Sequence, residues 1–307
     1  MSKIVISGYY GFANAGDEAM LTAIIASLRS REGDVHLTVI SGNPDVTSAR
    51  HGVISLSRFN FLGILAAVKD FDLLLSGGGS LLQDVTSKRS LLYYLFIIAL
   101  GKLLKIKVML FAQGIGPINS GFLRKLTKYV CSGADLITVR DKDSLYELKR
   151  LGVPEEKVTL TADSVLTLPR ESTLDGRKIL TNHGVPADKM LVAFSVRVWG
   201  DDDAYLLELA KAADFFVTHH HAHIIILPLQ YPVDLEACEK LQQFMALRKE
   251  STVLDASFDT SQFLSLMGNF DLLIGMRLHA LIFAAVMETP FAAVSYDPKI
   301  DGFVKDI

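Results

Sequence analysis

Lys107-Val108-Met109-Leu110-Phe111-Ala112 runs straight into Gln113-Gly114-Ile115-Gly116-Pro117. The first half is an almost unbroken apolar run of strand length. A strand with one wet face alternates apolar and polar residues. An unbroken run needs cover on both faces, as a strand inside a parallel sheet has. The second half sets an amide and two glycines at the strand's exit. The same order recurs along the chain. Lys3–Ser7 leads into Gly8-Tyr9-Tyr10-Gly11-Phe12-Ala13-Asn14-Ala15-Gly16-Asp17-Glu18, and Asp72–Ser76 leads into Gly77-Gly78-Gly79-Ser80.

Working outward, further strands are expected at His36–Ser41, Val53–Leu56, Leu136–Val139 and Val158–Leu160. A second series follows at Met190–Val196, His223–Pro228, Thr252–Asp255, Asp271–Gly275 and Phe291–Ser295. Helical patterns fall between them at Asp17–Arg31, Leu91–Leu100, Phe122–Ser132, Asp143–Leu151, Asp202–Thr218, Pro232–Arg248, Thr260–Leu266 and Leu278–Met287. Asp17 and Glu18 at the start of the first, with Arg29 and Arg31 at its end, match the helix dipole. Alternating strands and helices predict an α/β protein with doubly wound parallel sheets. The polar, turn-rich stretch 169–189 reads as a linker. It separates two Rossmann-like lobes, 1–168 and 190–307, with a ligand cleft expected between them.

The composition agrees. At about 150 residues per domain, 307 residues suggest two domains. Hydrophobic residues make up 50% and charged residues 21%, which excludes a disordered chain. With 31 Lys+Arg against 34 Asp+Glu the net charge is −3, so the chain as a whole is no basic nucleic-acid binder. Two distant cysteines, Cys131 and Cys238, make neither a disulfide framework nor a four-thiolate metal site and read as reduced thiols in a cytoplasmic protein. Ile4-Val5-Ile6 is too short for a signal peptide's core of about 7–15 residues. Leu91–Leu100 falls short of the roughly 18 residues a spanning helix needs. It reads as a buried helix, or as one lying near a membrane surface. Lys88 and Arg89 precede it; Lys102, Lys105 and Lys107 follow.

Ligands in such sheets bind beyond the carboxyl ends of the strands, which is where the distinctive residues fall. Glycines at 8, 11 and 16 are not the G-x-G-x-x-G dinucleotide fingerprint. No ribose-binding acid follows the second strand, and no phosphate-binding P-loop occurs. Asp17 and Glu18 at a helix start repel phosphate. They suit sugar hydroxyls, with Gly11 and Asn14 beside them; the plainer alternative is a turn and a helix cap. Gly78, Gly79 and Gln113 are further candidates for acceptor contacts, Gly78 and Gly79 by offering backbone N–H groups, or else as turn geometry.

Arg277 and His279 stand between a strand and the helix beginning at Leu278. A helix start favours an anion, an arginine forks onto carboxylate or phosphate, and a histidine exchanges protons near neutral pH. The alternative is an arginine paired with a local acid and a core histidine. Arg140, next to Asp141, is a second cation or one half of a surface pair. Arg197, near Trp199, is a third cation or a cation–π contact. Together the three arginines fit a small, doubly anionic substrate. His219-His220-His221 and His223 resemble a metal tract but sit at a helix end, where they complement the dipole.

Taken together, Gly8–Glu18, Ser76–Asp84, Ala112–Pro117, Thr138–Asp141, Ala162-Asp163-Ser164 and Gly275–Ala280 resemble the polysaccharide pyruvyl transferase family, most closely the bacterial type that modifies secondary cell-wall polymers. The resemblance implies the two-lobed fold of B-type glycosyltransferases. It implies transfer of pyruvate from phosphoenolpyruvate to a sugar as a cyclic ketal, with release of phosphate. The implied acceptor is N-acetylmannosamine in a disaccharide on a polyprenyl diphosphate carrier, met at the inner membrane face. No redox cofactor or nucleic acid is required. Arg277-Leu278-His279 corresponds to the family's donor-binding element and Arg140 to a second donor arginine. His279 is the candidate general acid, and Asp17 or Glu18 the candidate base. The family usually continues beyond Tyr296-Asp297-Pro298-Lys299, so a further terminal helix is expected past Ile307. Two rival readings remain: a nucleotide-sugar glycosyltransferase of the same fold, and a non-catalytic anion- or sugar-binding protein.

Overall fold

Every expected strand forms. The protein, described by a computed structural model over residues 2–200 and 202–307, builds two all-parallel sheets. The first contains β1 (Ser2–Ser7), β2 (Val35–Ser41), β3 (Ile54–Ser57), β4 (Leu73–Gly77), β5 (Lys107–Gln113), β6 (Leu136–Val139) and β7 (Val158–Leu160), in the order β3-β2-β1-β4-β5-β6-β7. The second contains β8 (Leu191–Ser195), β9 (His223–Ile226), β10 (Ser251–Val253), β11 (Leu272–Gly275) and β12 (Phe291–Ala293), in the order β10-β9-β8-β11-β12.

The chain divides into two compact units. One comprises the residues up to Phe12 together with Asp17–Ser164; the other comprises Ala13–Gly16 together with Val165–Ile307. Four residues of the first signature loop are therefore built into the second unit. In the first unit run α1 (Ala15–Glu32, from Asp17 onward), α2 (Pro44–His51), α3 (Phe61–Lys69), α4 (Lys88–Leu103), α5 (Gly121–Gly133) and α6 (Lys142–Leu151). Right-handed crossovers put α1 and α2 on one face of the sheet and α3 to α6 on the other. The strand alternation matches: Ile4 and Ile6 pack with Leu21, Ile24 and Ile25, whereas Val5 packs with the α3 to α6 layer. Each fully buried aliphatic chain contributes about 1.5–3 kcal/mol.

The second unit carries α7 (Leu174–Asn182), α8 (Ala204–His220), α9 (Leu235–Phe244), α10 (Thr260–Met267), α11 (Leu278–Met287) and α12 (Pro298–Asp306). Val192 and Phe194 pack with Leu206, Ala210 and Leu241 of α8 and α9. Residues 169–189, expected as a linker, instead hold α7, which packs on α10. Gly176 makes this possible: its N–H donates to Ser265 Oγ at 2.7 Å, and a Cβ there would meet the Ser265 carbonyl oxygen at 2.4 Å. Asp259 and Gln262 close a capping box that starts α10.

The histidine tract is spent on packing. His219 and His220 lie against Phe215, His221 ends α8 at φ 51°, and His223 Nε2 meets Thr252 Oγ1 at 2.8 Å. Both cysteines are buried, and burial pushes the Cys131 thiol up to about 12. Among the described residues no helix is long and apolar enough to cross a membrane.

Candidate active site

Each sheet reverses its strand order once, between β1 and β4 in the first and between β8 and β11 in the second. A loop leaving a strand at such a switch point has open space beside it, because the neighbouring connections run in opposite directions. The signature loops occupy these positions. Ser7 pairs with Ser76, so Gly8 and Gly77 leave the first sheet together. Ser195 pairs with Gly275, so Arg197 and Arg277 stand at equal height two residues past adjacent strands.

In the first unit most of the polar loop groups hold the loop itself. Tyr10 is buried and donates its hydroxyl to the Gly77 carbonyl at 2.6 Å; burial, then the charges of Asp17 and Glu18, raise its pKa well above the ordinary value. Gly11 has φ 79°, and a Cβ there would meet Asn43 N at 2.4 Å. Its N–H donates to Glu18 Oε1 at 2.8 Å, while Glu18 Oε2 lies 3.2 Å from His51 Nε2. Glu18 is thus a buried brace, and its expected role as a base does not fit. Asp17 is half-buried, and its Oδ1 lies 2.9 Å from where a Cβ of Gly79 would stand.

The glycine loop also differs from expectation. Gly78 N–H donates to Phe111 O at 3.0 Å and Gly79 N–H to Met20 Sδ at 2.9 Å, so neither amide is offered outward. Gln113 is fully buried and donates to the Ser76 and Gly78 carbonyls at 3.3 and 3.1 Å. It props the loop from beneath rather than touching an acceptor. Arg140 is buried across Gly114. Its Nη1 donates to Asp163 at 2.8 Å and its Nη2 to Ser80 Oγ at 3.1 Å. Asp141, the expected partner, does lie beside it, with Oδ2 3.6 Å from Arg140 Nε, while its Oδ1 caps α6 by accepting from Ser144 N–H.

In the second unit Ala13–Gly16 lies against the loops after β9 and β11. Asn14 bridges to Gln230, Ala15 N–H donates to Leu229 O at 2.8 Å, and Asn14 Oδ1 accepts from Gly16 N–H at 3.0 Å. The Asn14 amide oxygen is a turn cap, as the plainer reading expected. His279 follows Leu278 in the first turn of α11, and its imidazole rests on Gly16. A Cβ on Gly16 would come within 2.1 Å of His279 Nδ1. Arg277 is the N-cap of α11, and its Nε and Nη2 fork onto the buried carboxylate of Asp234. Arg197 Nη1 donates to the Tyr296 hydroxyl at 3.1 Å, with the guanidinium 5.6 Å from that ring. It has no carboxylate partner among the described residues. The two arginines reach in opposite directions, one towards the loop after β9 and the other towards the loop after β12.

A model of the family described as polysaccharide pyruvyl transferase matches residues 14–298. The chain belongs to the polysaccharide pyruvyl transferase family. It is 21% identical to the amylovoran biosynthesis protein AmsJ of Erwinia amylovora, covering 99% of this chain and 86% of that one. Its fold is similar to that of Anabaena HepE, solved with UDP-glucose, at a TM-score of 0.68, 13% identity, and coverage of 98% and 82%. It is similar also to the UDP-GlcNAc 2-epimerase of Methanocaldococcus jannaschii, at a TM-score of 0.67, 14% identity, and coverage of 97% and 86%. These likenesses establish the fold as that of B-type glycosyltransferases and related epimerases.

Several residues that organise this family member's loops escape sequence reasoning. Asp234 is an acid distant in sequence from the arginine it holds; Asp163 stands in the motif Ala162-Asp163-Ser164, but its pairing with Arg140 was not foreseen. Arg58, directly after β3, is a further cation with no carboxylate partner among the described residues. Its guanidinium lies 4.4 Å from the Tyr93 ring and 5.3 Å from that of Phe12. The available signal was its place after a strand, the same sign that marked Arg140 and Arg197.

Proposed function

We propose that this pyruvyl transferase uses phosphoenolpyruvate as donor and forms a cyclic ketal on N-acetylmannosamine within a disaccharide linked to polyprenyl diphosphate. The observation that carries this reading is the seating of His279. Its imidazole lies on the signature loop at Gly16, at the start of α11, with Arg277 two residues before it.

Protonation of phosphoenolpyruvate at C3 makes C2 an oxocarbenium-like centre. His279 is the general acid for that step, an effect of typically 10²–10⁴-fold. One sugar hydroxyl adds to C2 and releases its proton to Asp17. The C2–O bond to phosphorus-bearing oxygen then breaks, and inorganic phosphate leaves with the electron pair. The second hydroxyl adds to the same carbon and loses its proton, closing the ring. Arg197 and the remaining Nη1 edge of Arg277 supply positive charge for the donor's carboxylate and phosphate. Arg140 acts indirectly, by fixing the Ser80 loop.

Acceptor-dependent release of inorganic phosphate, followed by ³¹P NMR, tests the reading. Phosphate is expected with wild type and is expected to fall to trace level with His279→Ala. Thermal stabilisation by UDP-sugars but not by phosphoenolpyruvate would favour a nucleotide-sugar transferase instead.

A further inference from the structure

The outer surface of α3 and the first half of α4 is apolar and exposed. Leu62 is 81% and Phe59 74% exposed, with Phe61, Leu65 and Phe96 also open to solvent. The Phe61 and Phe96 rings meet edge to face at 6.4 Å, so the two helices present one surface rather than two. Positions 61, 62 and 65 on α3, and 92 and 96 on α4, fall on single helical faces. The inward faces of the same helices are occupied by Ile64, Val68, Leu91 and Leu95, which belong to the core. The exposed side chains are therefore surplus to folding. A contiguous apolar surface of this kind marks an interaction site.

Its charge narrows the partner. Neither α3 nor α4 contains an Asp or Glu, although the chain as a whole is net negative. Lys88 and Arg89 stand exposed in the first turn of α4, and Lys69 stands exposed at the end of α3. None of these three makes an ion pair with a described residue. Lys88 also attracts Asp84, but exposed apolar side chains that share two helices with exposed cations, and with no acid on either helix, match a membrane interface carrying anionic lipid. The basic run at the other end of α4 is different. Lys102 and Lys107 share Asp135, at 2.9 and 3.4 Å, and serve the fold.

We propose that the first unit docks on an anionic lipid surface through α3 and the first half of α4. The helices lie on the bilayer; Phe61 and Leu62 enter the headgroup region, and Lys88 and Arg89 meet lipid phosphates. The full-length chain is tested by co-sedimentation with vesicles of phosphatidylcholine, with and without phosphatidylglycerol. Wild type is expected to sediment with the anionic vesicles and to be released by salt. Phe61→Ser with Leu62→Ser is expected to weaken binding about 100-fold. Lys88→Gln with Arg89→Gln is expected to weaken it about 30-fold. Lys105→Gln with Lys107→Gln is expected to leave it unchanged. All these side chains are exposed, so unchanged melting confirms intact folding. Wild type that ignores anionic vesicles, or a Phe61/Leu62 variant that binds them as wild type does, overturns the proposal. Self-association that the Phe61/Leu62 change abolishes, without vesicle binding, also overturns it and assigns the face to a second copy of the chain.

Discussion

Arg277 commits Nε and Nη2 to Asp234, a carboxylate that is 1% exposed. Removing the guanidinium strands that buried charge, which costs about 3–5 kcal/mol. Arg277→Ala is therefore expected to lower the melting temperature by about 10 °C as well as weaken donor binding. Arg277→Met with Asp234→Leu removes both charges and is expected to recover most of the melting temperature but not phosphoenolpyruvate affinity. Recovery of affinity in calorimetry would take Arg277 out of donor binding. Arg197 makes the opposite case. Its contacts are one hydroxyl, the Val198 carbonyl and one aromatic face. Arg197→Ala is expected to leave melting nearly unchanged while raising KM for phosphoenolpyruvate about 10–100-fold, the value of a charge-assisted hydrogen bond. An unchanged KM would remove it from the site.

At the scale of elements, Gly16 is where the first signature loop meets α11. A methyl there would overlap the His279 ring, yet Gly16 does not adopt a positive φ. Gly16→Ala is expected to keep the fold and to lower kcat towards that of His279→Ala. Wild-type kcat in that variant would show that the ring needs no seat on the loop. All twelve strands were legible in the sequence, because parallel strands buried on both faces are written as apolar runs. Four helices were not. α2 (Pro44-Asp45-Val46-Thr47-Ser48-Ala49-Arg50-His51) has no apolar stripe, and α7 and α12 are short and polar. α3 is apolar nearly all round, so it shows no period. The candidate positions were picked because they follow strands; the partners that hold them were not legible. Nothing near Arg277 in sequence announces Asp234, and although Asp163 stood out in its motif, nothing tied it to Arg140. Tertiary packing makes those pairs, and it turned Glu18, Gln113, Gly78 and Gly79 from ligand candidates into supports.

At the scale of the whole molecule, acid acts unequally on the two units. Burial holds the His223 imidazole below its ordinary pKa, against an opposing pull from Glu250. The unfolded chain therefore binds a proton more readily than the folded one. The associated stability is fully present above the ordinary histidine pKa of about 6.5 and is lost as pH falls through the folded value. In the first unit, burial alone would raise Asp84, but the N–H groups of Asn119 and Ser120 more than offset it and lower its pKa. Its contribution is present above about pH 3.9 and is lost only below that, as pH falls through the lowered value. Between pH 7 and 5, hydrogen exchange is expected to quicken in β9 and β10 while β4 and β5 stay protected. Equal quickening in both sheets, or the same response in His223→Gln, would contradict this. Phosphoenolpyruvate labelled with ¹³C at C2 is incubated with the lipid-linked disaccharide, and ¹³C and ³¹P spectra are taken together. A labelled ketal carbon on the sugar and inorganic phosphate in equal amount are expected, both lost in His279→Ala at unchanged melting temperature. Label remaining in phosphoenolpyruvate, or appearing as free pyruvate, would contradict the proposed reaction.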